Sequence, residues 1–157
     1  MSLTFQQVLF PTDFSELSNA ALAYARLIAG TFSAQLHCLH VVDDAYQYWS
    51  AMGPESIPVG PPPEDLLELG RTRMEKFRTE KLGEMKQAVV TDVTLGRPFA
   101  EIIAYAREHK VDVIVMGTHG RGAIAHMLLG STTEKVVRKS PCPVLTIRAS
   151  EHQFVMP

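Results

Sequence analysis

The sequence predicts an α/β fold, an open five-stranded parallel sheet with helices on both faces. Two observations carry this. Short apolar runs, Val8-Leu9-Phe10 and Val111 to Met116 (broken only by Asp112), read as strands buried on both sides. Between such runs lie segments whose apolar residues recur at helical spacing, so strand and helix alternate along the chain. A third observation concerns function: Gly117-Thr118-His119-Gly120 follows the fourth apolar run, and Gly130-Ser131 opens a helix nine residues further on.

Val8-Leu9-Phe10 forms the first strand and Pro11-Thr12-Asp13 closes it. The first helix runs from Ser15 to about Thr31, with Leu17, Ala21, Tyr24 and Ile28 on its apolar stripe. Ser15 or Asp13 caps its start and Gly30 marks its end. Leu36 to Val42 is the second strand, and Asp43 to Pro63 is a long Pro/Gly-rich loop containing Trp49. The second helix spans roughly Glu64 to Lys86, with Leu67, Met74, Leu82 and Met85 along one face. Val89 to Leu95 is the third strand, stopped by Gly96. Pro98 opens the third helix at a first-turn position, with Ile102, Ile103 and Ala106 inward. After the fourth strand and the glycine loop, Thr132 to Lys139 is a helix burying Val136 and Val137. Ser140-Pro141-Cys142-Pro143 breaks it before the fifth strand, Val144 to Ile147.

The chain has 157 residues, 46% hydrophobic and 20% charged, the composition of one globular domain spanning 1–157. A net charge of -2 argues against nucleic-acid binding. No apolar run is long enough to span a membrane. Met1-Ser2-Leu3-Thr4 does not read as a signal peptide, so the expected location is cytoplasmic. Cys38 and Cys142 lack metal-ligand spacing and are expected to be buried, reduced thiols.

Strand, glycine-spaced loop and helix start together present unpaired backbone N–H groups and a positive dipole end to an anion. Gly117, Gly120, Gly122 and Gly130 therefore read as a phosphate-binding loop, with turn-shaping as the alternative. Ser131-Thr132-Thr133-Glu134 reads as a capping box with Ser131 as N-cap. Asp13, at the carboxyl edge of strand one, either takes a base amino group or ribose hydroxyl, or caps the first helix with Glu16. His119 and Arg121 are candidates for ribose or phosphate contact, or are solvated. His37 and His40, three apart on a strand, face opposite ways and take structural roles. A P-loop lysine is absent, and the acidic partner that Gly120-Arg121-Gly122 would need in a dinucleotide fingerprint is missing.

The chain closely resembles the universal stress protein family, specifically its ATP-binding branch. The resemblance rests on the segments Val8 to Ser15, Leu39 to Asp43, Gly96-Arg97-Pro98, the Gly-x2-Gly-x9-Gly-Ser/Thr pattern at Gly117, Gly120, Gly130 and Ser131, and the ending Pro141 to Ile147. It implies strand order 3-2-1-4-5 in an adenine nucleotide alpha hydrolase-like fold. It implies ATP as ligand, with adenine at Asp13 and the Val41 backbone. Pro11, Met116 and Gly117 then surround the ribose, and Thr12 belongs to the same turn. Gly120, Gly130, Ser131, Thr132 and Thr133 hold the phosphates, with magnesium or manganese carried on them. Thr132 stands where the family commonly has an apolar residue. The resemblance further implies a homodimer through Val144 to Ile147. The functional expectation is an ATP-binding regulatory switch of the stress response, without an obvious catalytic base. The alternatives are a slow ATPase or nucleotidyl transferase using Asp13 or His119, and a nucleotide-free interaction module.

Overall fold

The computed structural model describes residues 3–44, 61–119 and 129–149. Strands β1 (Gln7–Pro11), β2 (Gln35–Asp43), β3 (Val89–Gly96), β4 (Val113–Gly117) and β5 (Val144–Ile147) pair in parallel in the order β3-β2-β1-β4-β5. This is the predicted fold class, with the strand order that the resemblance implies. The helices are α1 (Glu16–Phe32), α2 (Pro63–Phe77), α3 (Pro98–Glu108) and α4 (Ser131–Lys139).

Successive side chains on a strand point to opposite faces, so each central strand feeds two cores. Phe10, Leu36, Cys38 and Val115 pack with Ala21, Leu22 and Ala25 of α1 and with Met74 and Phe77 of α2. Leu9, Leu39, Ile114 and Met116 pack on the other face with Ile102 and Tyr105 of α3 and Val136 of α4. Phe99 lies under Lys135 and Lys139, whose ammonium groups sit 4.9 and 5.5 Å from the ring centre and tie α4 to α3. Among the described residues no helix is long and apolar enough to cross a membrane.

Several element boundaries depart from the sequence reading, each for a local reason. α1 buries Ser18, Ala21, Leu22, Ala25 and Ala29, whereas Tyr24 is 49% exposed. The small side chains let the helix sit close to the sheet and turn the larger Tyr24 outward. The helix passes Gly30 and ends at Ser33, whose left-handed backbone (φ 53°) directs its N–H to the Ala29 and Gly30 carbonyls.

The second helix does not run unbroken to Lys86. Past Phe77 it widens into a π-helical turn, Arg78–Leu82. Phe77 and Leu82 are both buried and five residues apart. Regular α-geometry would bring the charged Lys81 inward instead. β4 begins at Val113 rather than Val111, because the Val111 N–H turns back to the Ala106 carbonyl at the end of α3. Asp112 is left to accept from the Gln6 and Gln7 N–H groups, at 2.7 and 2.8 Å.

In α4, Thr133 and Val136 are buried, while Val137, expected inside, lies one position round and is 45% exposed. Cys38 is buried as expected, but Cys142 is only half-buried. The bulk of the expected loop Asp43 to Pro63, residues 45–60, lies outside the described residues, as do His126 and His152.

Candidate functional site

β1 and β4 are neighbours with α1 leaving one and the glycine loop leaving the other, so the carboxyl edge opens where the order of winding reverses. A cleft of about 720 Å³ lies there. Pro11, Thr12, Asp13, Val41, Met116, Gly117, His119, Gly130, Ser131, Thr132 and Thr133 all line it. These are all of the predicted site residues that are described; Gly120, Arg121 and Gly122 lie outside the described residues.

The turn after β1 is built by short-range bonds. Thr12 is buried; its Oγ1 accepts from the Phe14 N–H at 3.0 Å and lies 3.1 Å from the Ser18 hydroxyl. Phe14 takes a left-handed backbone (φ 64°), which lets the chain reverse within two residues. Ser15, not Asp13, is the N-cap of α1, accepting from the Ser18 N–H at 3.2 Å. Asp13 stands two residues earlier and accepts from the Ser15 N–H at 2.9 Å and from the Ser15 hydroxyl. The capping box with Glu16 is therefore not formed, and the half-buried Asp13 carboxylate borders the cleft.

On the β4 side, Gly117 has a packing reason to be glycine. A Cβ there would stand 2.8 Å from the Leu17 carbonyl oxygen and 3.3 Å from the Ser18 Cα. The first turn of α1 lies directly against the strand end. The loop is pinned where it leaves and where it returns: the Thr118 N–H donates to the Ile147 carbonyl at 2.9 Å, and the Gly130 N–H to the Thr118 carbonyl at 2.7 Å. The Thr133 hydroxyl, three per cent exposed, donates to the Gly117 carbonyl at 2.9 Å and fixes α4 against the strand end.

The start of α4 corrects a second assignment. Gly130 is the N-cap, in extended conformation, and Ser131 is the first helical residue. Among the described residues no side chain caps this end, so the capping box with Ser131 as N-cap is not realised here either. Glu134 instead pairs with Arg138 at 2.9 Å. Among the described residues no side-chain acceptor meets the first-turn N–H groups of α4, which lie at the cleft and so suit an anion. His119 is half-buried at the loop entrance, its Nδ1 3.1 Å from the Thr118 hydroxyl. Among the described residues no three His, Cys, Asp or Glu side chains are grouped to hold a metal by themselves.

The opposite wall escaped the sequence reading. Leu66, Leu69, Gly70 and Arg73 of α2 line the cleft, with His40 and Val42 of β2. Gly70 permits this, since a Cβ on it would come within 2.9 Å of Val93 and 3.1 Å of Val42. A glycine inside an otherwise helical segment was the available signal for close helix–strand packing. His37 and His40 do face opposite sides of the sheet. His37 is buried beside Tyr105, its Nδ1 3.0 Å from the Tyr105 hydroxyl and its Nε2 2.6 Å from Gln7 Oε1. His40 lies against Phe14, ring centres 4.4 Å apart, with its Nδ1 2.8 Å from the Thr12 carbonyl.

A doubly wound parallel sheet with a cleft at its switch point belongs to the class that binds small ligands at strand ends. The model of the Universal stress protein family matches residues 4–148, and the chain belongs to that family. It is 30% identical to Universal stress protein MJ0577 of Methanocaldococcus jannaschii, over 94% of this chain and 98% of that one. It is 34% identical to a universal stress protein of Thermus aquaticus, over 92% and 99%. Among solved structures, MJ0577 superposes with a TM-score of 0.79 at 30% identity, covering 96% of this chain and all of the other. UspA from Lactobacillus plantarum follows with a TM-score of 0.73 at 28%, covering 94% and 100%. Two more distant structures share the fold. One is a universal stress protein in complex with cAMP (TM-score 0.61, 24% identity, covering 94% and 100%). The other is the Arabidopsis thaliana protein At3g01520 with AMP bound (TM-score 0.58, 19% identity, covering 96% and 97%).

Proposed function

We propose that this chain binds an adenine nucleotide, ATP foremost, in the strand-edge cleft, and that occupancy governs pairing of two copies along β5. In this reading the protein is a nucleotide-dependent switch of the stress response. The observation that carries it is the convergence of an acidic turn and an uncapped helix start on one cleft. Asp13 and the Val41 backbone take adenine, and Pro11, Met116 and Gly117 border the ribose. Gly130, Ser131, Thr132 and Thr133 receive the phosphates at the positive end of α4, and magnesium or manganese would arrive with them. Proteins of the same fold hold AMP and cAMP, which supports an adenine ligand.

Calorimetric titration with magnesium–ATP tests the proposal. Saturable heat is expected; its absence at millimolar ATP, where even binding worth about 4 kcal/mol would register, overturns it. Turnover is expected to stay below about 1 per second, the lower end of ordinary enzyme rates. A faster steady-state rate, lost in an Asp13→Ala or His119→Ala protein that still binds ATP, would make the protein an ATPase instead.

A further inference from the structure

The rung that should follow Pro11↔Leu39 between β1 and β2 is missing its usual donor. The Thr12 N–H reaches the Leu39 carbonyl at 2.9 Å, as a parallel ladder requires. Continuing that ladder would bring the Val41 N–H to the Thr12 carbonyl. Among the described residues that carbonyl is met instead by the His40 side chain, with Nδ1 at 2.8 Å. Because a carbonyl only accepts, His40 carries its proton on Nδ1 and donates it. The ring packs on Phe14, ring centres 4.4 Å apart, and Gly70 leaves room for it, since a Cβ added there would stand 3.4 Å from His40 Cδ2.

One consequence follows from the alternation of N–H directions along a strand. The Val41 N–H, on the β1 side of β2, is not spent on Thr12. That amide belongs to a residue that lines the cleft. We infer that His40 is a positioning residue: by taking the Thr12 carbonyl in place of the next backbone donor, it turns the Val41 amide over to the base of an adenine nucleotide. The inference rests on the proposed nucleotide site and adds the residue that prepares it.

AMP is the probe, since it reports on base and ribose with little help from the glycine loop. His40→Leu removes the donor while filling similar space, and AMP affinity by calorimetry is expected to fall at least tenfold. His40→Asn returns an N–H near the Nδ1 position and is expected to recover affinity to within about threefold of the parent. A residue of purely structural importance would lower the melting temperature of both variants alike and leave the folded fraction binding normally. Equal AMP affinity in folded His40→Leu and parent protein therefore overturns the inference while leaving the nucleotide site standing. No binding by the parent overturns both. If His40→Leu does not fold, amide spectra of the parent decide: AMP must shift the Val41 N–H resonance, and a resonance that stays in place refutes the assignment.

Discussion

Gly117 and Gly130 belong to one motif, yet the structure separates their roles. At Gly117 a methyl group would meet the Leu17 carbonyl at 2.8 Å, a backbone atom that cannot swing aside. Gly117→Ala is expected to cost about 2–3 kcal/mol of stability, in the range of overpacked core substitutions, measured by urea denaturation. Gly130 has φ -66° and ψ 157°, values open to any residue. Gly130→Val is expected to fold at a cost of about 1 kcal/mol, that of a β-branched residue in place of an N-cap glycine, and to lose ATP binding, because its side chain would occupy the proposed phosphate space. Unchanged ATP affinity in that variant would count against the site. At this scale the Pro11-Thr12-Asp13 turn and the glycine spacing of the loop were legible because turn chemistry is local, whereas Met116, Thr132 and Thr133 entered only through the family resemblance. Why Gly117 must be glycine was not legible, since it depends on where α1 comes to rest.

Among the elements, β5 stands at an edge, with Leu145 38% exposed. An apolar edge with open backbone groups invites pairing, and the proposed dimer uses it. Thr146 lies opposite Met116, while Ile114 donates to Pro143 and Thr118 to Ile147. In a parallel ladder that leaves the Leu145 and Ile147 N–H groups on β4 and turns the Thr146 N–H to the open side. Thr146→Pro should therefore leave the intramolecular sheet nearly intact and abolish strand pairing between copies. Sedimentation should show a monomer whose Tm stays within about 5 °C of the parent; a persisting dimer would rule out this edge. The existence and order of the strands were readable from apolar runs, and the start of α3 from Pro98. The π-helical turn after Phe77 was not, because the choice of Leu82 over Lys81 is made by the core beneath it.

Across the whole molecule, buried titratable groups set the pH range of stability. Burial, reinforced by the neighbouring His109, lowers the His37 pKa from its ordinary 6.5. Below about pH 6.5 the unfolded chain takes up a proton that the native state resists, so stability falls as pH falls. The neutral ring also suits its partners, with Nε2–H donating to Gln7 and Nδ1 accepting from the Tyr105 hydroxyl. At the alkaline end burial pushes the Cys38 thiol from 9.0 up to about 12. Tyr105 is raised from 10.0 to about 12, by burial first and then by Asp92, Cys38 and Glu108. Here the native state keeps protons that the unfolded chain releases, so stability falls as pH rises above about 9. Urea midpoints should peak between these limits. Cys38→Ala should flatten the alkaline limb by on the order of a few kcal/mol; an unchanged slope there would exclude Cys38 as its source.

The sequence by itself determined the alternation of strand and helix and the glycine-spaced loop before a helix, because apolar periodicity, caps and turns act within a few residues. Only the tertiary structure decided that α2 walls the cleft, that Gly117 yields to Leu17, and that His40 takes the Thr12 carbonyl. Those outcomes depend on groups from separate elements meeting within hydrogen-bond or van der Waals reach, and distances of that kind arise only when both faces of the sheet are packed.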